Sequence, residues 1–229
     1  MPHIAIILAG GIGSRVGGAT PKQLLPLHDG RSILEHSVDA FEHSPVIDEI
    51  AIVMHPDWIE EAERICARNT WHKLTKIIPG GSERWESSWH AIQAYVNHKS
   101  QITNHKSQIT LWLHDCARPF VSQRILSDIA TALENHPAVT VAVPSTDTIY
   151  MTDNNRLVSM PPRETVWRAQ TPQAFHLEVI AEAFRRALAT GSIAATDDVG
   201  IVHTYMPEAP ITIVAGEEAN RKITYKEDL

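Results

Sequence analysis

The chain has 229 residues, 43% of them hydrophobic and 21% charged, with a formal net charge of −7. That length supports a core without disulfide or metal staples, and the acidic balance argues against nucleic acid or an anionic membrane as the main partner. Two cysteines, Cys66 and Cys116, are too few for a disulfide framework or a structural zinc site, and the apolar run at 4–9 is too short for a membrane span and lacks a signal-type flank, so a soluble cytoplasmic protein is expected.

The first predicted strand is "HIAIILA" at 3–9, which breaks into the glycine-rich stretch "GGIGSRVGG" and then "PKQLL". A helix follows at 32–43, a strand at 49–54, and helices at 57–69 and 83–96. Beyond them come a strand at 110–114, a helix at 123–135 and a strand at 139–143. The helices carry apolar residues three or four apart, and "SERW" and "VSQR" place a serine near two of the starts. The strands are nearly continuous apolar runs, as in a sheet covered on both faces. Alternating strands and helices imply an α/β fold with a mostly parallel sheet, right-handed crossovers and helices on both faces. Ligands of such sheets gather at the carboxyl ends of the strands, where the first glycine loop sits.

Two segments break the alternation. Residues 147–164 read as two short strands around the turn signal Asp153-Asn154-Asn155, a β-hairpin arm projecting from the body and a plausible dimer contact. Residues 97–110 are a tandem duplication, "NHKSQITNHKSQIT". One apolar residue per heptad cannot build a coiled-coil seam, so this reads as a lengthened loop without function, and His98 and His105 as solvated residues.

Two familiar phosphate loops fail on residues. Gly13 to Gly18 has the glycine spacing of a Walker loop, but Ala19-Thr20 follows where lysine and a hydroxyl are required. Gly11-Ile12-Gly13 begins a dinucleotide fingerprint, yet Val16 occupies the third glycine position and the second strand leads into His55, not an acid. What remains is a glycine nest for an anion with two cations beside it, Arg15 as a fork and Lys22 as a point charge.

"AGGIGSR" followed by "PKQLLPL" resembles the cytidylyltransferases that activate polyol phosphates, in the methylerythritol phosphate and ribitol phosphate branches. The likeness continues in order through "GGSERWESS", "HDCARP", "DTI", "RETVWRAQTPQAF", "TDD" and "NRKIT". It implies a single nucleotidyltransferase domain over 1–229 with a Rossmann-like α/β fold and a homodimer formed through the arm. It also implies Mg²⁺-dependent transfer of CMP from CTP to a polyol phosphate. Catalysis of such a transfer is mainly alignment and charge neutralisation. By this resemblance Arg15, Lys22 and Lys222 are the catalytic cations. Ala9, Gly10, Gly11, Gly13, Gly80, Gly81, Ser87 and Asp115 hold the nucleotide, and Asp115 is the Mg²⁺ ligand. Arg118, Thr148, Arg163, Thr171, Thr196 and Asp197 face the substrate, with Arg163 as an anionic clamp and the arm completing the partner's site. Cys116 is read as a packing residue.

The favoured acceptor is 2-C-methyl-D-erythritol 4-phosphate, the more widespread branch. Ribitol 5-phosphate is the alternative, because Ala9-Gly10-Gly11 stands where the methylerythritol branch usually has Ala-Ala-Gly. Ala219 replaces a common acidic residue, so no metal ligand is assigned there, and the family pattern leads to expect a C-terminal helix after Asp228-Leu229. A sugar-1-phosphate nucleotidyltransferase is disfavoured by "HDCARP", and a non-catalytic relic by the joint presence of Arg15, Lys22, Asp115, Arg118 and Lys222.

Overall fold

The computed structural model describes residues 1–11, 20–101, 108–191, 193 and 195–228. Gly13, Arg15 and most of the second copy of the duplicated heptad lie outside the described residues. The body is a seven-stranded sheet between two layers of helices. Strands β1 (His3–Ala9), β2 (Glu49–Met54), β3 (Leu74–Pro79) and β4 (Thr110–Asp115) form one parallel half, ordered β3-β2-β1-β4.

Period-two alternation along β1 sends its residues to opposite faces. Ala5, Ile7 and Ala9 pack with Leu34, Val38 and Phe41 of α1 (Ile33–Glu42), Ile65 of α2 (Ile59–Ala67) and Ile125 of α4 (Gln123–Leu133). Ile4 and Ile6 pack with Ile92 and Tyr95 of α3 (Arg84–Gln101) and Phe184 of α5 (Leu177–Ala189). Of the two predicted serine starts, that of "VSQR" is seen at α4, where Ser122 accepts from Ile125 N–H, whereas at α3 Ser82 donates its N–H and hydroxyl to Glu86; α1 opens with a reciprocal capping box of Ser32 and Glu35.

The other half of the sheet was less legible. Strand β5 (Ala138–Pro144) matches the predicted run, but β8 (Trp167–His176) inserts antiparallel between β4 and β5, and β9 (Ile211–Ala215) adds a parallel edge beyond β5. The β5–β8 register pairs Val141 with Gln170 and Thr140 with Gln173, skipping Thr171 and Pro172, whose connecting peptide is cis. A proline has no N–H for a ladder, so that bulge is how the strand tolerates one inside the sheet.

The arm is present. Strands β6 (Met151–Asp153) and β7 (Arg156–Ser159) pair antiparallel around Asn154 and Asn155, whose φ values of 47° and 61° suit a tight two-residue hairpin turn. Its neck is closed by Pro144 opposite Trp167 and by Ser145 N–H donating to Val166 O at 2.8 Å. Tyr150, Met151, Leu157, Val158 and Met160 are all exposed along it. Among the described residues, no helix is long and apolar enough to cross a membrane.

Candidate active site

A cleft of about 380 Å³ opens at the carboxyl ends of β1 and β4, lined by the glycine loop, the start of α3 and the C-terminal segment. Its floor depends on two glycines. A Cβ on Gly10 or Gly80 would lie 3.0 Å from Ser87 Oγ, so the β1 loop and the β3 loop approach each other across that hydroxyl. Ser87 Oγ itself accepts a hydrogen bond from Gly81 N–H at 3.1 Å. Gln23, almost fully buried in the turn after Pro21, donates its amide to Ala9 O at 2.5 Å and Gly11 O at 2.9 Å, tying the two sides of the glycine loop together.

Asp115 closes β4 and sets a carboxylate between two cations. Its Oδ1 faces Arg84 Nε at 3.3 Å and its Oδ2 accepts from Lys222 Nζ at 2.7 Å. Burial opposes its ionisation, but the charges of Arg84 and Lys222 prevail and hold the carboxyl well below the usual range. Burial likewise disfavours the Arg84 cation, and Asp198 and Asp115 together outweigh it and raise its pKa. Asp198 opens α6 (Asp198–Tyr205), fully buried, with Oδ2 at 2.8 Å from Arg84.

Lys222 sits in a segment pinned on both sides. Asn220, fully buried, donates to Thr171 O at 2.9 Å, and Ile223 N–H donates to Ala117 O at 2.8 Å. Lys22 reaches the same segment, donating to Ile223 O at 2.6 Å. Both lysines therefore converge on one strip of chain beside Asp115. The Asp115 N–H donates to Thr171 Oγ, at 3.0 Å, so the β8 bulge holds the end of β4 in place. Burial depresses the neighbouring His114 to about 4, which leaves a neutral ring between Thr171 and the Arg118 carbonyl. Burial also pushes the Cys116 thiol up, away from thiolate chemistry and in keeping with a packing role.

Of the residues singled out from sequence, Ala9, Gly10, Gly11, Lys22, Gly81, Ser87, Asp115 and Lys222 line this one cleft, and Gly80 abuts it. The substrate set is placed differently. Arg118 donates to Asn220 O at 2.8 Å and Ala169 O at 3.2 Å, fastening the C-terminal segment to β8. Thr171 supports Asp115 from behind, as described. Arg163 and Thr148 meet each other at 3.2 Å in the arm and are not among the cleft's lining residues. Asp197 caps α6 through Gly200 N–H at 2.8 Å and accepts from Gln173 at 2.7 Å; it and Thr196 are also outside the lining.

Sequence reasoning assigned no role to Gln23, Arg84, Gln173, Asp198 or Asn220. Arg84 stood inside the quoted "GGSERWESS" and Asp198 inside "TDD", so motif membership was the available signal. Their mutual contact joins segments far apart in the chain and has no local signature.

The family model described as IspD, 2-C-methyl-D-erythritol 4-phosphate cytidylyltransferase, matches residues 3–229. The protein of that name from Thermobifida fusca is 44% identical over 230 residues, covering 98% of this chain and 89% of the relative. A bifunctional ribulose 5-phosphate reductase/CDP-ribitol pyrophosphorylase of Haemophilus influenzae is 36% identical over 229 residues, covering 99% of this chain and 46% of that relative. Among solved structures, the 4-diphosphocytidyl-2C-methyl-D-erythritol synthase of Anaerococcus prevotii superposes with a TM-score of 0.81 at 27% identity, covering 99% of this chain and 92% of that one. With loop glycines, two lysines and the aspartate at the end of β4 meeting in one cleft, this chain belongs to the 2-C-methyl-D-erythritol 4-phosphate cytidylyltransferase family.

Proposed function

We propose that the chain transfers the cytidylyl group of CTP to 2-C-methyl-D-erythritol 4-phosphate and releases pyrophosphate. The observation that carries this is the convergence of Lys22, Lys222 and Asp115 on a cleft floored by the glycine loops and Ser87. An oxygen of the acceptor phosphate attacks the α-phosphorus, the bond to the bridging oxygen breaks, and pyrophosphate leaves with that electron pair. No proton need move, so the protein's task is to align the groups and offset charge. The two ammonium groups do the latter, joined by Arg15 from the resemblance. Buried backbone groups around Ser87 are the natural readers of the cytosine edge, and uracil would leave them unpaired.

Asp115 is a suitable Mg²⁺ ligand. It is a hard oxygen donor at the cleft, and no group of three or more His, Cys, Asp or Glu with metal-site geometry occurs among the described residues. A single carboxylate suits an ion held mainly by phosphates and water. When bound, Mg²⁺ supplies further charge neutralisation on the triphosphate. The exposed apolar arm supports a homodimer in which Arg163 and Thr148 serve the partner's acceptor site. Two free thiols fit the expected cytoplasmic setting.

The test is pyrophosphate release with CTP, Mg²⁺ and each of two acceptors. Preference for methylerythritol 4-phosphate is expected. Preference for ribitol 5-phosphate, the chemistry named in the Haemophilus relative, would replace the acceptor, and silence with both would overturn the reading.

A further inference from the structure

One buried ion pair at the cleft has no part in the chemistry above. Asp198 is fully buried; its Oδ2 lies 2.8 Å from an Arg84 guanidinium nitrogen as an ion pair, and neither of its carboxylate oxygens has a hydrogen-bond partner among the described residues. A carboxylate so far from water gains little net stability from one cation, because desolvation offsets the attraction. Apolar side chains would fill that volume equally well. The pair is better explained by what its cation reaches.

Arg84 reaches Asp115. The guanidinium is a rigid planar fork, so fastening its NH2 arm to Asp198 sets the direction of Nε toward Asp115 Oδ1. Asp198 is itself held from the sheet, since Gln173 Oε1 accepts from the main-chain N–H groups of Asp198 and Val199 at 3.1 Å each. A continuous line thus runs from β8 through α6 and α3 to one oxygen of Asp115. Among the described residues, the other oxygen is paired with a flexible lysine, Lys222, whose side chain is 41% exposed. Two further cations are near among the described residues: Arg118 has both terminal nitrogens committed to backbone carbonyls, and Lys22 donates to the Ile223 carbonyl.

We propose that Arg84, anchored by Asp198, is a positioning residue that keeps the Asp115 carboxylate oriented while Lys222 leaves it for the phosphates. This rests on the cytidylyl-transfer reading. Without Asp198, Arg84 keeps its charge but loses its tether and is free to swing into the cleft, where a phosphate would capture it in the wrong place.

The experiment is a double-mutant cycle on the full chain with CTP, Mg²⁺ and methylerythritol 4-phosphate, using Arg84→Lys, Asp198→Asn and Asp115→Asn. Arg84→Lys and Asp198→Asn are each expected to lower kcat about 10- to 100-fold while KM for CTP moves about threefold or less. In an Asp115→Asn background each should add about twofold or less, because their action passes through that carboxylate. Equal losses in both backgrounds, or an unchanged kcat for Asp198→Asn, would overturn the proposal. Where Asp115→Asn is too slow to measure, methylguanidinium added to Arg84→Gly decides. Recovery of rate that requires Asp198 supports the tether, and recovery indifferent to Asp198, or none, overturns it. Melting curves show which variants fold; if Arg84→Lys does not, the kcat of Asp198→Asn decides alone. An inactive wild type would break the functional reading instead, whereas an active wild type with indifferent variants breaks only this proposal.

Discussion

The cleft and the arm solve opposite problems. In the cleft, every charge discussed is answered from within the chain: Asp115 by Arg84 and Lys222, Arg84 by Asp198, Lys22 by the Ile223 carbonyl. In the arm, Leu157 and Val158 are 55% and 66% exposed, and little of the hairpin's apolar surface meets the body. A site whose dipoles and charges are fixed in advance needs no rearrangement of its frame to receive an anion. An apolar hairpin left in water is instead a surface waiting for another one. The difference teaches where self-sufficiency ends: one copy builds its whole cleft, while the proposed dimer is what would cover the arm.

The sharpest attempt to break this comparison is removal of a cleft cation. Lys222→Ala and Lys22→Ala are each expected to reduce kcat about 10²- to 10³-fold, with a much smaller change in CTP affinity, as for loss of a preorganised donor. Steady-state kinetics beside isothermal titration would check it; a matched loss of affinity would mean that the lysines serve binding alone. The arm offers the second attempt. Leu157→Asp combined with Val158→Asp should convert a dimer to a monomer in sedimentation velocity and cut kcat/KM for the acceptor about tenfold, with the melting curve of the body little changed.

A third prediction concerns the buried charge of the body. Burial alone would raise the Glu35 carboxyl, but Arg68, the Ser32 N–H and Asn69 outweigh it and bring it down to about 2. A folded value below the unfolded value of 4.5 means that this contribution is complete above pH 4.5 and is lost as pH falls toward 2. Glu35→Gln should therefore cost about 2 kcal/mol at neutral pH, discounted for the exposure of Arg68, and the variant's stability should fall less than the parent's between pH 5 and 3 in urea melts. The smallest effect is expected at Gly10→Ala. The new methyl group would press on Ser87 Oγ at 3.0 Å, raising KM for CTP a few-fold, on the order of 1 kcal/mol, with kcat nearly unchanged.

How much of this was legible in the sequence follows from how local each signal is. Strands β1, β2, β4 and β5 announce themselves as apolar runs, α1 by its apolar spacing and α4 also by a serine at the start. Strand β8 hides because Pro172 interrupts it and because its first three residues are exposed while the next six are buried, so no single period describes it. Strands β3 and β9 are edge strands with mixed exposure and show no clean run. In the site, Lys22, Asp115, Ser87 and Lys222 were legible because the motifs carry them. The Arg84–Asp198 contact was not, since nothing in either segment's own pattern requires the other. Thr171 was expected to face the substrate, whereas its place behind Asp115 depends on a strand that the sequence concealed.

The closed neck of the arm has a consequence for inheritance. Because Pro144 and Trp167 stand opposite each other and Ser145 bonds Val166, everything between them leaves and re-enters the sheet at a single point. Such an insertion is free to lengthen, shorten or be exchanged while the spacing of the surrounding strands stays as it is. The molecule is in that respect two modules on one chain, a body that frames the cleft and an appendage hung from one point of its sheet. Exchanging the appendage for another hairpin of the same span at the neck should then leave the cleft's geometry untouched.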